Sequence, residues 1–351
     1  METTEALPGA QRFRLPNIAI SLAILAILAV LTNRLSAWSP KTLEYPLWAI
    51  ILGLGANLAL SAAGVREKVN QAFRTELFLK VGLVLLGAGV NFTQVLSVGA
   101  KGVVQALIMV ASVFLFTWWL GGLFKLDEKL RAVMCTAISI CGVSAAIAAA
   151  GAVLARKEHL AYVTTLVIIT ALPLMILMPY VALAMGLSPE WAGAWFGGNI
   201  DTTAAVVGAG AIHSEAAMKV ASIVKMSQNA LIGVVAFLLA LYWVAVMERK
   251  PRERPSARVI WDRFPKFVLG FILVSILASA GLFSAGQLTN ITALRNWAFT
   301  LAFISIGLEL SWGELRKMGM SPLIVYLVAT LFNTLLALGV AAMIFGGVAG
   351  F

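Results

Sequence analysis

The chain has 351 residues, 61% of them hydrophobic and 12% charged, with a formal net charge of +10. A soluble domain carries about 45–50% apolar and about 25% charged residues, so a water-soluble globular protein is excluded. In a soluble protein this charge would suggest nucleic acid as a partner. Here it falls between apolar blocks, where it reads as a topology signal and as contact with anionic lipid headgroups.

The polar start METTEALPGAQRFRLPN leads into an apolar block without a convincing small-residue cleavage site, so no removable signal peptide is expected. Blocks near the twenty residues that a helix needs to cross about 30 Å of hydrocarbon then follow. They fall near 17–32, 46–65, 75–90, 100–124, 129–153, 160–186, 191–212, 217–247, 265–286, 292–311 and 321–345. Eleven spans are predicted, with ten as the alternative. The stretch 66–74 reads as an amphipathic connector. The segment Glu248–Lys266 holds seven basic residues and reads as a loop. The chain is therefore expected to be one integral membrane unit, 1–351. Its first part, 1–247, carries both candidate broken helices, 248–266 is a basic cytoplasmic loop, and 267–351 holds the C-terminal spans.

With eleven spans, and basic residues near span ends counted with the adjoining loop, seventeen Lys and Arg residues fall on one side and seven on the other, leaving Lys80 and Lys225 inside spans. The side rich in basic residues is cytoplasmic, which puts the N-terminus inside and the C-terminus outside. Gly87–Gln94, closing the third span, echoes Gly307–Glu314, closing the tenth, and those spans cross in opposite directions. That is the pattern of an inverted repeat, although two Gly- and Leu-rich membrane segments also resemble each other by chance.

Two segments interrupt the apolar pattern. Ser139-Ile-Cys-Gly-Val-Ser-Ala145 lies in mid-span, with Gly142 lowering helix propensity. A break there frees the N–H groups that open the second half-helix, forming an anion cradle to which Ser139, Cys141 and Ser144 add polar groups. The alternative is a continuous helix whose small residues allow close packing. Gly197-Gly-Asn-Ile-Asp-Thr-Thr203 places two glycines, Asn199, Asp201, Thr202 and Thr203 in an apolar block. An intramembrane carboxylate is a functional group by default: Asp201, with Thr202, is a candidate for Na⁺ or a proton. It also suits capping of a half-helix that begins at Thr202.

Lys225, with Gln228 and Asn229 one turn on, suits an oxyanion, or else pairs with Asp201. Lys80, near a span start, is expected to snorkel. His213, Glu215 and Glu309 read as interfacial. Asn57 and Asn333 read as interhelical glue or ligands. The two cysteines, Cys135 and Cys141, share one block and have neither disulfide-framework nor metal-ligand spacing. No HExxH, Walker or G-x-S-x-G motif is present, so neither a cofactor nor enzymatic chemistry is expected. An intramembrane hydrolase would need a base beside Ser139 or Cys141.

Ile140-Cys-Gly-Val-Ser-Ala145, Ile200-Asp-Thr-Thr-Ala-Ala-Val206 with Gly208-Ala-Gly210, and Val224-Lys-Met226 together resemble the YeiH-type sulfate-exporter family of bacterial inner-membrane proteins. The resemblance covers nearly the whole chain. It implies a fold like that of bile-acid/sodium symporters: inverted repeats, broken crossing helices, a core domain and a panel domain, with substrate near the crossing. It also implies a site including Cys141, Gly142, Ser144, Asp201, Thr202 and Lys225. The chain departs from the family pattern at Ile200, Ala205, Ser227, Gln228 and Gly89, where polar or cationic residues are common.

The fold expected is an all-α polytopic membrane protein of ten to eleven helices. Its expected function is secondary transport of a small anion (sulfate, sulfonate or carboxylate class) by alternating access, coupled to Na⁺ or H⁺ through Asp201. It is placed in the bacterial inner membrane, as a monomer or homo-oligomer, with no nucleic acid as partner. An anion channel is the alternative and an intramembrane enzyme comes third. Substrate contacts are expected from Ser139, Cys141, Gly142, Ser144, Asn199, Thr202, Thr203, Lys225, Gln228 and Asn229.

Overall fold

The computed structural model describes residues 15–39, 45–65, 74–247, 256–309 and 319–346, and among them all regular structure is helical. In chain order the helices are α1 (Leu15–Trp38), α2 (Tyr45–Ala62), α3 (Thr75–Leu86, extended by a 3₁₀ turn, Gly87–Gly89) and α4 (Phe92–Leu123). The first broken pair is α5 (Glu128–Thr136, ending in a π turn, Ala137–Cys141) and α6 (Val143–Ala152). After α7 (Lys157–Ala184) comes the second pair, α8 (Pro189–Asn199) and α9 (Thr203–His213). The chain continues as α10 (Glu215–Asn229), α11 (Ile232–Tyr242), the short α12 (Arg258–Arg263), α13 (Phe267–Ser279), α14 (Ala285–Glu309) and α15 (Met320–Phe345).

Polar residues set many of the starts by accepting the first free N–H groups. Asn91 opens α4, Asp127 opens α5, Ser188 with Pro189 opens α8, Thr202 opens α9 and Ser214 opens α10. Seven helical stretches are long and apolar enough to cross a bilayer: those of α1, α2, α4, α7, α10 with α11, α14 and α15. The apolar helices α6, α9 and α13 are shorter. With each broken pair counted once, α10 and α11 taken as one stretch and the short α12 left aside, the described helices overlap the eleven expected spans. Large apolar side chains such as Ile27, Leu107, Leu115, Leu331 and Leu335 stay on the outer surface, as lipid requires.

The helices sort into two groups by packing. A panel contains α1, α2, α3, α13 and α14, in which α14 packs on α2 and α3 and α13 packs on the 3₁₀ turn. A core contains α4 to α11 and α15. Helix α9 is the main core element reaching α2, α3 and α14 of the panel. Within lipid there is no hydrophobic drive between helices, so close approach of backbones carries the packing. Gly193 and Gly197 on α8 meet α10 this way: a Cβ on either would stand 2.6 and 2.8 Å from the carbonyls of Ala217 and Ala221.

Several expectations shift. Helix α14 begins at Ala285 rather than near 292, so Arg295, counted with a loop as if at a span end, lies well inside the helix and is buried. Lys101 and Lys219 likewise belong to α4 and α10. The basic segment is not wholly a loop: Arg258–Arg263 forms α12, which packs on α11. The connector at 66–73, residues 248–255 and most of the second echo, 310–318, lie outside the described residues. The first echo segment sits where the chain leaves the panel for the core, from α3 to α4, and Gly307–Glu309 of the second close α14, the panel helix that precedes α15.

Candidate functional site

Both interrupted segments are broken helices, and the breaks touch. At the first, Gly142 has φ +51° and ψ −112°, a conformation that L side chains rarely adopt. A Cβ there would lie 3.4 Å from Thr202 Cγ2 and 3.5 Å from the Asp201 carbonyl oxygen of the second break. Cys141 Sγ and Thr203 Oγ1, 3.4 Å apart, share a hydrogen bond between the two.

A break frees carbonyls at the end of its first half-helix, and in hydrocarbon these must find donors. Side chains of α10 and α15 supply them. Lys225 Nζ donates to the Ile140 carbonyl and, at 2.8 Å, to Gln228 Oε1. Gln228 Nε2 donates to the carbonyls of Ser139 (2.9 Å) and Gly198 (3.5 Å). Asn333 Nδ2 reaches those of Ile138 (3.4 Å) and Asn199 (2.9 Å). The buried ammonium thus lies at the negative end of a half-helix, where cations are favoured. No carboxylate among the described residues pairs with it within 4.0 Å, so the direct Lys225–Asp201 pair does not form.

At the second break the cap is one residue later than expected. Thr202 Oγ1 accepts the Ala205 N–H at 3.2 Å and the helix starts at Thr203. Asp201, released from capping, turns to α15 and accepts the Tyr326 hydroxyl at 2.7 Å. Both residues are buried. Asn199 Oδ1 accepts from Thr334 Oγ1 at 3.1 Å and its Nδ2 faces Met178 Sδ at 3.0 Å.

A cavity of about 550 Å³ lies in front of the breaks, between core and panel. Of the candidate residues, Cys141, Ser144, Thr202, Thr203 and Asn229 line it. Ser139, Gly142, Asn199, Asp201, Lys225 and Gln228 do not; they sit behind the crossing and brace it. The panel contributes Thr75, Glu76, Lys80 and Glu309, and the chain around α12 contributes Asp262, Arg263 and Lys266. Lys80, expected to snorkel, instead pairs with Glu76 at 2.8 Å in the cavity wall, both half-exposed. Asn229 Nδ2 donates to Thr203 Oγ1 at 3.0 Å, while its buried Oδ1 has no partner.

The two second half-helices, α6 and α9, begin at this cavity. Their first-turn N–H groups carry the positive ends of the helix dipoles. Helix α9 is capped by its own Thr202, whereas α6, preceded by Gly142, has no side-chain cap.

The model of a family described as conserved hypothetical protein 698 matches residues 18–326 of the chain. The chain belongs to this family. A UPF0324 membrane protein of Rhodopirellula baltica is 41% identical over 336 residues, covering 92% of this chain and 61% of its own length. One of Nitratidesulfovibrio vulgaris is 38% identical over 342 residues, 93% of this chain and 58% of its own. Another, of Chlorobaculum tepidum, is 29% identical over 92% of this chain and 88% of its own length. The chain therefore spans about three-fifths of the first two relatives. No solved structure matches it.

For this family member the far ends of the same helices hold a second polar cluster. Arg295 of the panel donates to Glu215 of the core at 3.3 Å, and Lys219 pairs with the same carboxylate oxygen at 3.3 Å. Glu215, read as interfacial, thus joins the two layers. A Cβ on Gly89 would stand 3.8 Å from Arg295 Nη1 and 3.9 Å from Lys219 Nζ, so two cations from other helices lie against this glycine. Asn57 acts as glue, donating to the Gly307 carbonyl at 3.0 Å. Tyr326, Glu76 and Arg295 escaped the sequence reading. Nothing local marks their roles, because Ser144, Glu215 and Asp201, the partners that place them, are 68 or more residues away.

Proposed function

We propose that this protein is a secondary transporter that moves a small anion, of the sulfate, sulfonate or carboxylate class, without altering it chemically. One observation carries this reading: two half-helix N-termini, α6 and α9, open into a single cavity at the core–panel boundary, beside the hydroxyl, thiol and amide groups of Thr203, Ser144, Cys141 and Asn229. Neutral donors and dipole ends hold an anion without fixing a permanent counter-charge, so release stays possible. Movement of the core against the panel would expose the seat alternately to either side.

The basic residues around α12 rim the cavity, and such residues mark the cytoplasmic side of an inner membrane. The cavity in this state then faces the cytoplasm, with the N-terminus on that side. The Arg295–Glu215–Lys219 cluster closes the far end. Asp201, held by Tyr326 directly behind the second break, is positioned to couple a cation, Na⁺ or H⁺, to the seat.

The test is flux in proteoliposomes of purified protein against sulfate, methanesulfonate, acetate and succinate, with and without Na⁺ and a pH gradient. Saturable flux of one class, stimulated by the same anion on the far side, is expected. Unsaturable conductance would make the protein a channel, and flux of none of these anions would end the anion reading.

A further inference from the structure

Glu76 lies across the layer boundary from the break, yet its carboxylate reaches into the proposed seat. Ser144 Oγ, in the first turn of α6, donates to Glu76 Oε1 at 3.2 Å, and Lys80 Nζ holds Oε2 at 2.8 Å. Helix α6 lacks a side-chain cap of its own. A carboxylate from another element instead takes the hydroxyl of Ser144 in that first turn. Asn229 lines the same cavity, with its Nδ2 donating to Thr203 Oγ1 at 3.0 Å.

We infer that Glu76 is a resident stand-in for the substrate's anionic group. This deepens the proposed function and rests on it. In the empty carrier the Glu76 carboxylate occupies the Ser144 end of the seat and ties panel to core. An arriving anion takes the Ser144 hydroxyl and the first-turn N–H groups, and Glu76 retreats to Lys80. Substrate binding and release of the layer contact are then one event, which ties movement of the core to occupancy. The other charged groups of the cavity wall, Glu309 beside Glu76 on the panel and Asp262, Arg263 and Lys266 around α12, remain in place throughout. Glu76 is thus a residue that sets both affinity and selectivity: an anion must compete with it.

The thiol of Cys141 lines the same cavity and reports on the seat. In full-length protein carrying Cys135→Ala, Cys141 is modified with two methanethiosulfonate reagents, one ending in a sulfonate and one in a trimethylammonium. Removing one unit charge from the wall of the same cavity should raise the ratio of anionic to cationic modification about tenfold in Glu76→Gln. Sulfate should then protect Cys141 at lower concentration than in the parent. Ser144→Ala, which removes only the donor, should move the ratio the same way by a smaller factor, and serves if Glu76→Gln yields no protein. An unchanged ratio, or equal acceleration of both reagents, overturns the role given to Glu76. Failure of sulfate to protect Cys141 in parent and variants alike overturns the anion seat beneath it, whichever way the ratio moves.

Discussion

Replacing Gly142 with alanine tests the break on which the site is built. The residue has φ +51° and ψ −112°, and holding an L residue in so sparsely populated a region costs about 1–3 kcal/mol. The added Cβ would also lie 2.5 Å from Val167 Cγ1. Val167 is fully buried and has no free space to enter, so overpacking adds about 1–3 kcal/mol. The sum is about 2–6 kcal/mol. Gly186 is the internal control: it has φ +67° but nothing within 4 Å of its Cβ position. Gly186→Ala should therefore show only the left-handed penalty, about 1–2 kcal/mol. Both variants are compared by SDS-titrated unfolding in mixed micelles, followed by tryptophan fluorescence and circular dichroism. A Gly142→Ala cost no larger than that of Gly186→Ala would refute the argument, because the break would then tolerate a side chain and the helix would have an easy way to straighten.

Three further outcomes are expected. Lys225→Met should destabilise the protein by about 1–3 kcal/mol in the same assay, since the Ile140 carbonyl is left buried without that donor. A double-mutant cycle with Gln228→Leu should show coupling, and strict additivity would contradict the shared bracing. Asp201→Asn should fold, because an amide oxygen still accepts the Tyr326 hydroxyl, but should lose the dependence of anion flux on Na⁺ or on a pH gradient; unaltered dependence would take Asp201 out of the mechanism. Glu215→Gln or Arg295→Met should let an impermeant thiol reagent reach Cys141 from the face opposite the cavity mouth. Labelling that stays one-sided in both variants would show that the Arg295–Glu215 contact does not hold that face shut.

The architecture was largely legible along the chain. Hydrocarbon forces each crossing segment to satisfy its own backbone, so apolar blocks marked the spans without an alignment. The second break was legible for a related reason: the run from Gly197 to Thr203 makes poor lipid-facing helix. At Gly142 the residues left a continuous, closely packed helix open, and the fold decided for the break. What failed was finer. The start of α14 was placed seven residues late, which left Arg295 near a span end and counted with the adjoining loop. The cap at the second break fell on Thr202 because its hydroxyl reaches the Ala205 N–H, which left Asp201 free to find Tyr326.

What the sequence determined by itself was where helices run and where the second break falls, since hydropathy and backbone conformation act within a few residues. Only the tertiary structure decided which polar groups face the cavity. The freed carbonyls of the two breaks claim the nearest donors, so Lys225 and Gln228 brace the backbone while Asn229, one residue on, turns to the cavity. Glu76 reaches Ser144 only because the panel folds against the core. Those choices depend on the rotation and approach of helices remote in the chain, and no local pattern encodes them.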